Sequence, residues 1–353
     1  MLKPYKRAEV SFELRKNIGH EGKNSEVHLA YDPNLDAEIV IKRVLKSELD
    51  VPAYFSESQL LYKSGHPNVV PILYASEDAD CIYLAMPYFR RGSLNAALSK
   101  RFLTVREVIR YATHFLAGLH NVHSKGLVHF DVKPDNILLT DRDEAVLSDF
   151  GLAKQLNLNG VAEQDRSYFK MQPPEFFNDQ EFDARFDIYQ VGVTLYRLIN
   201  GNSMFYDQFG TYGDQANFDF QQFRFDVINE RFPDRAHHLE HVPARLRNVI
   251  KKCLKSDRSE RYKSSTDVVS DLASIGGADL DWRYEPGMDG CRQWTKVQAD
   301  REIRLRVDGT MQSHAEKRCG DGPFRRIKAF CMDSISDQEI RQFLRTDGNE
   351  ETN

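Results

Sequence analysis

The hydrophobic positions change period several times along the chain, and each change marks a predicted element. Residues 11–45 read as strands: SFELRKNIG enters a glycine-containing turn, EVHLAYD follows, and AEIVIKRVL carries the β-branched Ile39, Val40 and Ile41. The period turns helical over 52–64, where Pro52 suits a first turn, Phe55, Leu60 and Leu61 mark the apolar face, and Gly65-His66-Pro67 stops the segment. Strands return at NVVPILYAS and DCIYLAMPYF. From the N-cap residue Thr104, VREVIRYATHFLAGLHNVHSKG predicts a long helix ended by Gly126. A loop with short strands is expected over 127–152, then a polar stretch to Pro173-Pro174. FDIYQVGVTLYRLIN is apolar nearly all round, the signature of a fully buried helix, and Asn200-Gly201 closes it. Residues 202–232 are rich in Phe and Tyr, the aromatic run 205–232 reads as core and helix packing with substrate docking as the alternative, and helices resume from Pro243 to about 275.

Gly276-Gly277 predicts a linker. Beyond it, Glu302 to Val307 alternates, placing Ile303, Leu305 and Val307 on one face of a strand and Arg304 and Arg306 on the other. Asp308-Gly309 predicts a hairpin turn with the return strand starting at Thr310, and PFRRIKAF a further strand. Ser336 with Glu339 forms a capping box, Ile335 and Ile340 its staple, for a closing helix that reaches about Thr346. An isolated hairpin is marginal in water, so the apolar face must pack on Ile340, Phe343 and Leu344 of that helix or on the preceding body, with Trp282 and Trp294 supplying area.

Composition narrows the class. The 353 residues suggest two or three folded units, and 41% hydrophobic with 29% charged residues excludes disordered, collagen-like and membrane-spanning chains. A body of this size buries roughly 70–75% of its unfolded surface, so it needs no disulfide or metal staple. The net charge of -5 disfavours bulk nucleic-acid and anionic-membrane binding. Five cysteines without a C-x-x-C pair read as free thiols of a reducing compartment. With no apolar h-region and no run of about 18 apolar residues, a soluble cytoplasmic protein is expected. His237, His238 and His241 read as a solvated loop, since no acidic or cysteine ligand lies at a zinc-like spacing. Arg304 and Arg306, continued by Arg325, Arg326 and Lys328, read as a solvated basic face, with a protein-docking surface and, against the net negative charge, nucleic-acid binding as the alternatives.

One set of motifs carries chemistry. His129-Phe130-Asp131-Val132-Lys133-Pro134-Asp135-Asn136, with Asp149-Phe150-Gly151 beginning thirteen residues after Asn136, resembles the catalytic and metal-binding loops of protein kinases. The resemblance covers about residues 12–275 and is to the eukaryotic-like serine/threonine protein kinases. It implies a two-lobed α+β fold: a small β-rich N-lobe with one helix over 11–87 and a mainly helical C-lobe over 88–275. A small α+β module of unrecognised family, 278–353, would be appended. The implied cofactors are ATP and Mg2+, and the implied partners are proteins bearing serine or threonine, with a docking partner for the appended module open.

Residue by residue, the resemblance implies that Asp131 orients the attacking hydroxyl and accepts its proton, that Lys133 reaches the γ-phosphate, and that Asn136 and Asp149 hold the metal. Lys42 is similar to the strand lysine that grips the α- and β-phosphates, with Glu57 as its ion-pair partner. Ile18-Gly19-His20-Glu21-Gly22-Lys23-Asn24-Ser25-Glu26-Val27 resembles the phosphate-covering loop with a longer tip and Ser25 in place of its third glycine. Met86-Pro87-Tyr88-Phe89 would be the hinge, Met86 its gatekeeper, with adenine held at Met86 and Tyr88 between Val27 and Val40 above and Leu138 below. A spine of Leu61, Ile72, Phe150 and His129 is carried over, as are an anchoring Glu175–Arg261 pair and an Asp187 that receives the catalytic-loop backbone.

Three departures stand out. Phe130 replaces the arginine that meets an activation-loop phosphate, so activity without activation-loop phosphorylation is expected. Val40 replaces the alanine that commonly covers adenine. Tyr168, beside Ser167, stands where a threonine is usual. The alternatives are a pseudokinase scaffold or nucleotide sensor, opposed by the complete Lys42, Glu57, Asp131, Asn136 and Asp149 set, and a small-molecule phosphotransferase of the same fold, opposed by Lys133, the Pro-Pro-Glu segment and the Asp187 helix.

Overall fold

The computed structural model describes residues 10–20, 25–48 and 65–349. The helix expected over 52–64 lies outside them. Five strands, β1 (Glu13–His20), β2 (Ser25–Asp32), β3 (Ala37–Leu45), β4 (Tyr74–Glu77) and β5 (Cys81–Pro87), form an antiparallel sheet in the order β1-β2-β3-β5-β4. Alternation in β3 sends Ile39 and Ile41 into a core with Ala30 and Ala85, while Val40 and Lys42 line the opposite, cleft side. Register then aligns Val27 with Lys42 and Val40 with Met86. The run from Asn68 to Ser76 is a strand only from Tyr74 onward. Its first residues instead leave the sheet: the Val70 amide donates to the Leu147 carbonyl at 2.9 Å, and Asn68 is pressed so close to Gly118 that a Cβ there would strike its carbonyl.

The helical lobe contains α1 (Leu94–Leu98), α2 (Val105–His123), α3 (Arg185–Asn200), α4 (Asn202–Gly210), α5 (Phe220–Ile228), α6 (Ala244–Cys253) and α7 (Ser265–Ala273). Thr104 and Glu107 cap α2 reciprocally. Helix α3 is buried from Phe186 to Asn200, as its all-round apolarity requires, and Gly201 ends it at φ 83. Between α2 and α3 the chain runs through three short pairs: β6 (Leu127–Val128) with β9 (Lys154–Gln155), β7 (Ile137–Leu139) with β8 (Ala145–Leu147), and β10 (Ala162–Glu163) with β11 (Glu181–Phe182).

The last segment is an antiparallel meander of β12 (Arg283–Pro286), β13 (Arg292–Gln298), β14 (Arg301–Val307), β15 (Ser313–Cys319) and β16 (Arg325–Arg326), closed by α8 (Asp337–Thr346). Its apolar face packs on both candidate partners. Phe343 of α8 meets Trp282 and Phe330 at ring-centroid distances of 5.7 and 5.1 Å, and the Trp282 indole N–H donates to the Leu344 carbonyl at 2.7 Å. Tyr284 meets Phe102 of the helical lobe edge-on at 4.9 Å, within one continuous hydrophobic core. The Gly276-Gly277 linker is tied down: Arg106 of α2 bonds the Asp281 carboxylate at 2.5 Å and the Gly277 carbonyl at 2.7 Å.

Three expectations are corrected here. The hairpin turn spans Asp308 to Gln312, because the Asp308 carboxylate accepts the Thr310 and Gln312 amides and Met311 takes φ 69; β15 therefore begins at Ser313. PFRRIKAF is a strand only at Arg325–Arg326, since Ile327 and Phe330 turn inward together, at a spacing of three that a 3-10 turn satisfies and a strand does not. His238 and His241 are buried rather than solvated. The His238 ring lies 3.0 Å from the Arg235 carbonyl and His241 stacks on Tyr284. Burial pushes both imidazoles down to about 4.

Both rings therefore stay neutral in the folded chain while the unfolded chain takes up protons below the ordinary 6.5. The stability they contribute is complete above pH 6.5 and is lost as pH falls toward 4. The melting temperature should fall through that window, and His241→Phe, which keeps the stack on Tyr284, should flatten the slope. An unchanged slope in thermal scans from pH 7 to 4 would remove His241 from the account.

Candidate active site

Between the five-stranded sheet and the helical lobe lies a cleft of about 410 Å³. Ile18, Gly19, Val27, Val40, Lys42, Met86, Tyr88, Leu138 and Asp149 all line it. The sheet register brings the first six to one side, and β7 delivers Leu138 from the other. Ser25 begins β2 opposite Val44. Gly22 and Glu57, with Leu61 of the spine, lie outside the described residues.

The loop 129–136 is built on α3. Asp187, wholly buried, accepts the backbone N–H groups of His129 and Phe130, each at 2.8 Å, and faces the His123 ring at 2.7 Å. Gln190 accepts the Val132 amide at 2.9 Å and donates to the Phe130 carbonyl at 3.0 Å, and Thr194 donates to the Val132 carbonyl at 3.2 Å. So held, the loop turns Asp131 toward Lys133 and Asn136. Oδ2 of Asp131 accepts from Lys133 Nζ and from the Asn136 amide, both at 2.7 Å, and that amide also donates to the Asp131 carbonyl at 2.9 Å. Two oxygens are left over. Asp131 Oδ1 and Asn136 Oδ1 are buried and have no hydrogen-bond partner among the described residues.

Across the cleft, Lys42 Nζ meets Asp149 Oδ1 at 2.5 Å. Asp149 sits at φ 58, a strained backbone state for a non-glycine residue, and a Cβ at Gly151 would crowd that ion pair. His129 and Phe150 pack at 4.8 Å between ring centroids. Asn136 Oδ1 and the Asp149 carboxylate are hard oxygen donors, few in number, and so suit Mg2+, which keeps most of its shell for water and phosphate. No group of three or more His, Cys, Asp or Glu side chains among the described residues could cage a metal.

Phe130 is buried at φ 63, with Phe186 at 4.9 Å and Phe182 at 6.3 Å, in a cluster completed by Val128 and Ala162. The position that would receive a phosphate is thus the centre of an apolar knot that includes the β10–β11 strand pair. Further on, Arg261 holds Glu175 through two bonds of 2.7 Å. Tyr168 presents its ring to Lys133 Nζ at 4.8 Å.

A two-lobed body with a deep cleft between the lobes, a lysine–carboxylate pair on one wall and a carboxylate–lysine–amide cluster on the other defines the protein kinase class of fold. A sequence model of the protein kinase domain matches residues 12–271, and the chain belongs to that family. It is 27% identical over 309 residues to the serine/threonine-protein kinase PknD of Protochlamydia amoebophila, covering 77% of this chain and 30% of that protein. A probable serine/threonine-protein kinase PknB of Lactococcus lactis is 25% identical over 276 residues, covering 76% of this chain and 42% of its own length. Human ribosomal protein S6 kinase alpha-2 is 31% identical over 201 residues, with coverages of 55% and 27%. The chain spans less than half the length of each of these curated relatives.

Gln190 and Thr194 escaped the sequence reading. Their signal was there: on a helix otherwise apolar, Asp187, Gln190, Thr194 and Arg197 recur every three or four residues as one polar stripe.

Phe130→Ala empties the centre of the aromatic knot and should cost about 3–5 kcal/mol in denaturant unfolding. A loss within about 0.5 kcal/mol, the range of surface substitutions, would show that the knot does not hold the segment.

Proposed function

We propose that this chain is a serine/threonine protein kinase that transfers the γ-phosphate of Mg-ATP to protein hydroxyls. The observation that carries the reading is the convergence of Lys133 and Asn136 on one oxygen of Asp131. With Oδ2 doubly occupied, Oδ1 is the oxygen available to orient an acceptor hydroxyl and take its proton. Lys133, held 2.7 Å from Oδ2, supplies positive charge to the group in transit. Asn136, fixed by its two donated bonds, points its carbonyl oxygen away from Asp131, and with Asp149 would hold the magnesium that neutralises phosphate charge when bound. Lys42 would anchor the nucleotide phosphates, with Val27, Val40 and Leu138 enclosing the adenine and Met86 and Tyr88 offering hinge backbone.

The Phe130 knot supports a second element of the proposal: the activation segment is held by apolar burial, so activity needs no phosphate there. We read 11–87 and 88–275 as the two lobes and 278–353 as an accessory module bracing the second. Five free cysteines support a reducing, cytoplasmic setting. No helix among the described residues is long and apolar enough to cross a membrane.

Incubation with labelled ATP and magnesium, with phosphosites mapped by mass spectrometry, tests the reading. Asp131→Asn should lower the rate by about 10²–10⁴ or more while nucleotide binding persists, and Lys42→Ala should weaken nucleotide binding itself. Turnover at the wild-type rate in Asp131→Asn would remove Asp131 as the base. Phosphatase-treated protein should be as active as untreated; a large loss restored by rephosphorylation would refute the second element.

A further inference from the structure

Beside the Asp131 cluster lies a patch of positive charge that the transfer chemistry does not use. Lys170 follows Tyr168 by two residues, and its ammonium sits in an aromatic cage, 4.6 Å from the Tyr206 ring centroid and 4.7 Å from that of Phe209. Among the described residues it has no carboxylate within ion-pair distance, although it is only half-buried. Beneath it lies Arg197, the last residue of the polar stripe on α3, with its side chain wholly buried. Arg197 donates to Asn202, Asn95 and the Tyr206 hydroxyl at 3.0, 3.2 and 3.2 Å. Its remaining nitrogen, Nη1, has no hydrogen-bond partner among the described residues, and its nearest carboxylate, Asp135, stands off at 3.7 Å. A buried guanidinium so loosely balanced projects positive potential, and the low-dielectric rings around it screen that potential little. Burial and this neighbouring charge together push the Lys170 ammonium down from its ordinary value.

The patch is contiguous with the reaction centre. Tyr206, shared by Lys170 and Arg197, adjoins Tyr168, whose ring covers Lys133, the residue bonded to Asp131. Lys170 is joined to Asp131 through the contacts of Tyr206, Tyr168 and Lys133, and an extended peptide advances only roughly 3.3 Å per residue, so an acceptor hydroxyl at Asp131 would bring side chains within a few places of it toward Lys170. An apolar residue there would leave the ammonium desolvated and unpaired, and a basic one would be repelled; a carboxylate or phosphate would complete the ion pair.

We infer that this chain selects acceptor serines or threonines that carry an acidic side chain within three residues, read by Lys170 over the buried Arg197. The inference rests on the protein kinase reading above and names its substrate class.

The test is a set of serine-centred peptides in which each of the three positions on either side of the acceptor is Glu, Gln or Lys, phosphorylated by the full chain with Mg-ATP. At one position or more, Glu should exceed Lys by about tenfold in kcat/KM, as expected of one charge-assisted contact. Lys170→Glu should reverse the order at that same position, and Lys170→Gln should flatten it. The wild-type selectivity is read without any variant, so a folding defect in Lys170→Glu does not decide the matter. Peptides phosphorylated with no preference for Glu at any position overturn the inference and leave the kinase reading standing. So does a preference that Lys170→Gln and Lys170→Glu, folded by thermal melting, leave unchanged. No transfer to any peptide or to the protein itself overturns both.

Discussion

A carboxylate with no exposed surface, Asp187, organises the reaction centre. Burying an ionised carboxylate costs several kcal/mol unless its oxygens are hydrogen-bonded. Here the cost is met by the His129 and Phe130 amides and the His123 ring. The dependence runs both ways. The loop cannot leave α3 without giving up these bonds, and Asp187 cannot stay buried without the two amides that the loop brings to its oxygens. The strained φ of 63 at Phe130 persists because the amides on which it depends are fixed from below. Asp131, Lys133 and Asn136 inherit that rigidity, which explains how one oxygen of Asp131 is filled and the other left open.

From this anchor the remaining polar positions of α3 extend outward in order. Gln190 and Thr194 hold the next peptide groups of the same loop, and Arg197 reaches the far side, under Tyr206 and near Asp135. One stripe on one helix therefore holds the 129–136 loop and places a buried cation beside the neighbouring surface. Phe130 extends the arrangement in another direction. Its backbone belongs to the Asp187 anchor and its side chain to the Phe182–Phe186 knot, so the activation segment is joined to the catalytic loop through apolar contact in place of a charged one.

Much of this was legible in the sequence where chemistry demands a local spacing. The Asp131-to-Asn136 interval, the Asp149 triplet, the buried α3 and the Ser336 capping box depend on residues close in sequence, and periodicity or motif exposes them. What escaped depends on residues brought together from afar. His241 looked solvated because its neighbours in sequence are polar, whereas Tyr284, more than forty residues on, stacks over it. Thr310 looked like the start of a strand because Asp308-Gly309 suits a two-residue turn, but the Asp308 side chain captured two amides and lengthened it. Ile327 and Phe330 read as strand positions until the core drew both inward. Lys170 and Arg197 lie 27 positions apart, and the fold brings both cations to the ring of Tyr206.

The appended module belongs to the same mechanical account. Helix α2 has 19 residues, a rod of about 28 Å, and its two ends have different duties. At its last turn His123 faces Asp187; at its first turn Arg106 clamps Asp281 and the Gly277 carbonyl, and just before it Phe102 packs on Tyr284. The module is tied to this clamp from within: Lys296, almost wholly buried, bonds Asp347 and the Ala278 carbonyl and lies 4.9 Å from the Trp282 ring. Without the module, Phe102 and the adjoining core would face water at the end of the helix that positions His123. A single rod joins the two places: the meander packs at its first turn and Asp187 faces its last. Both tryptophans lie inside the fold rather than on an open face, in the core that the module shares with the helical lobe.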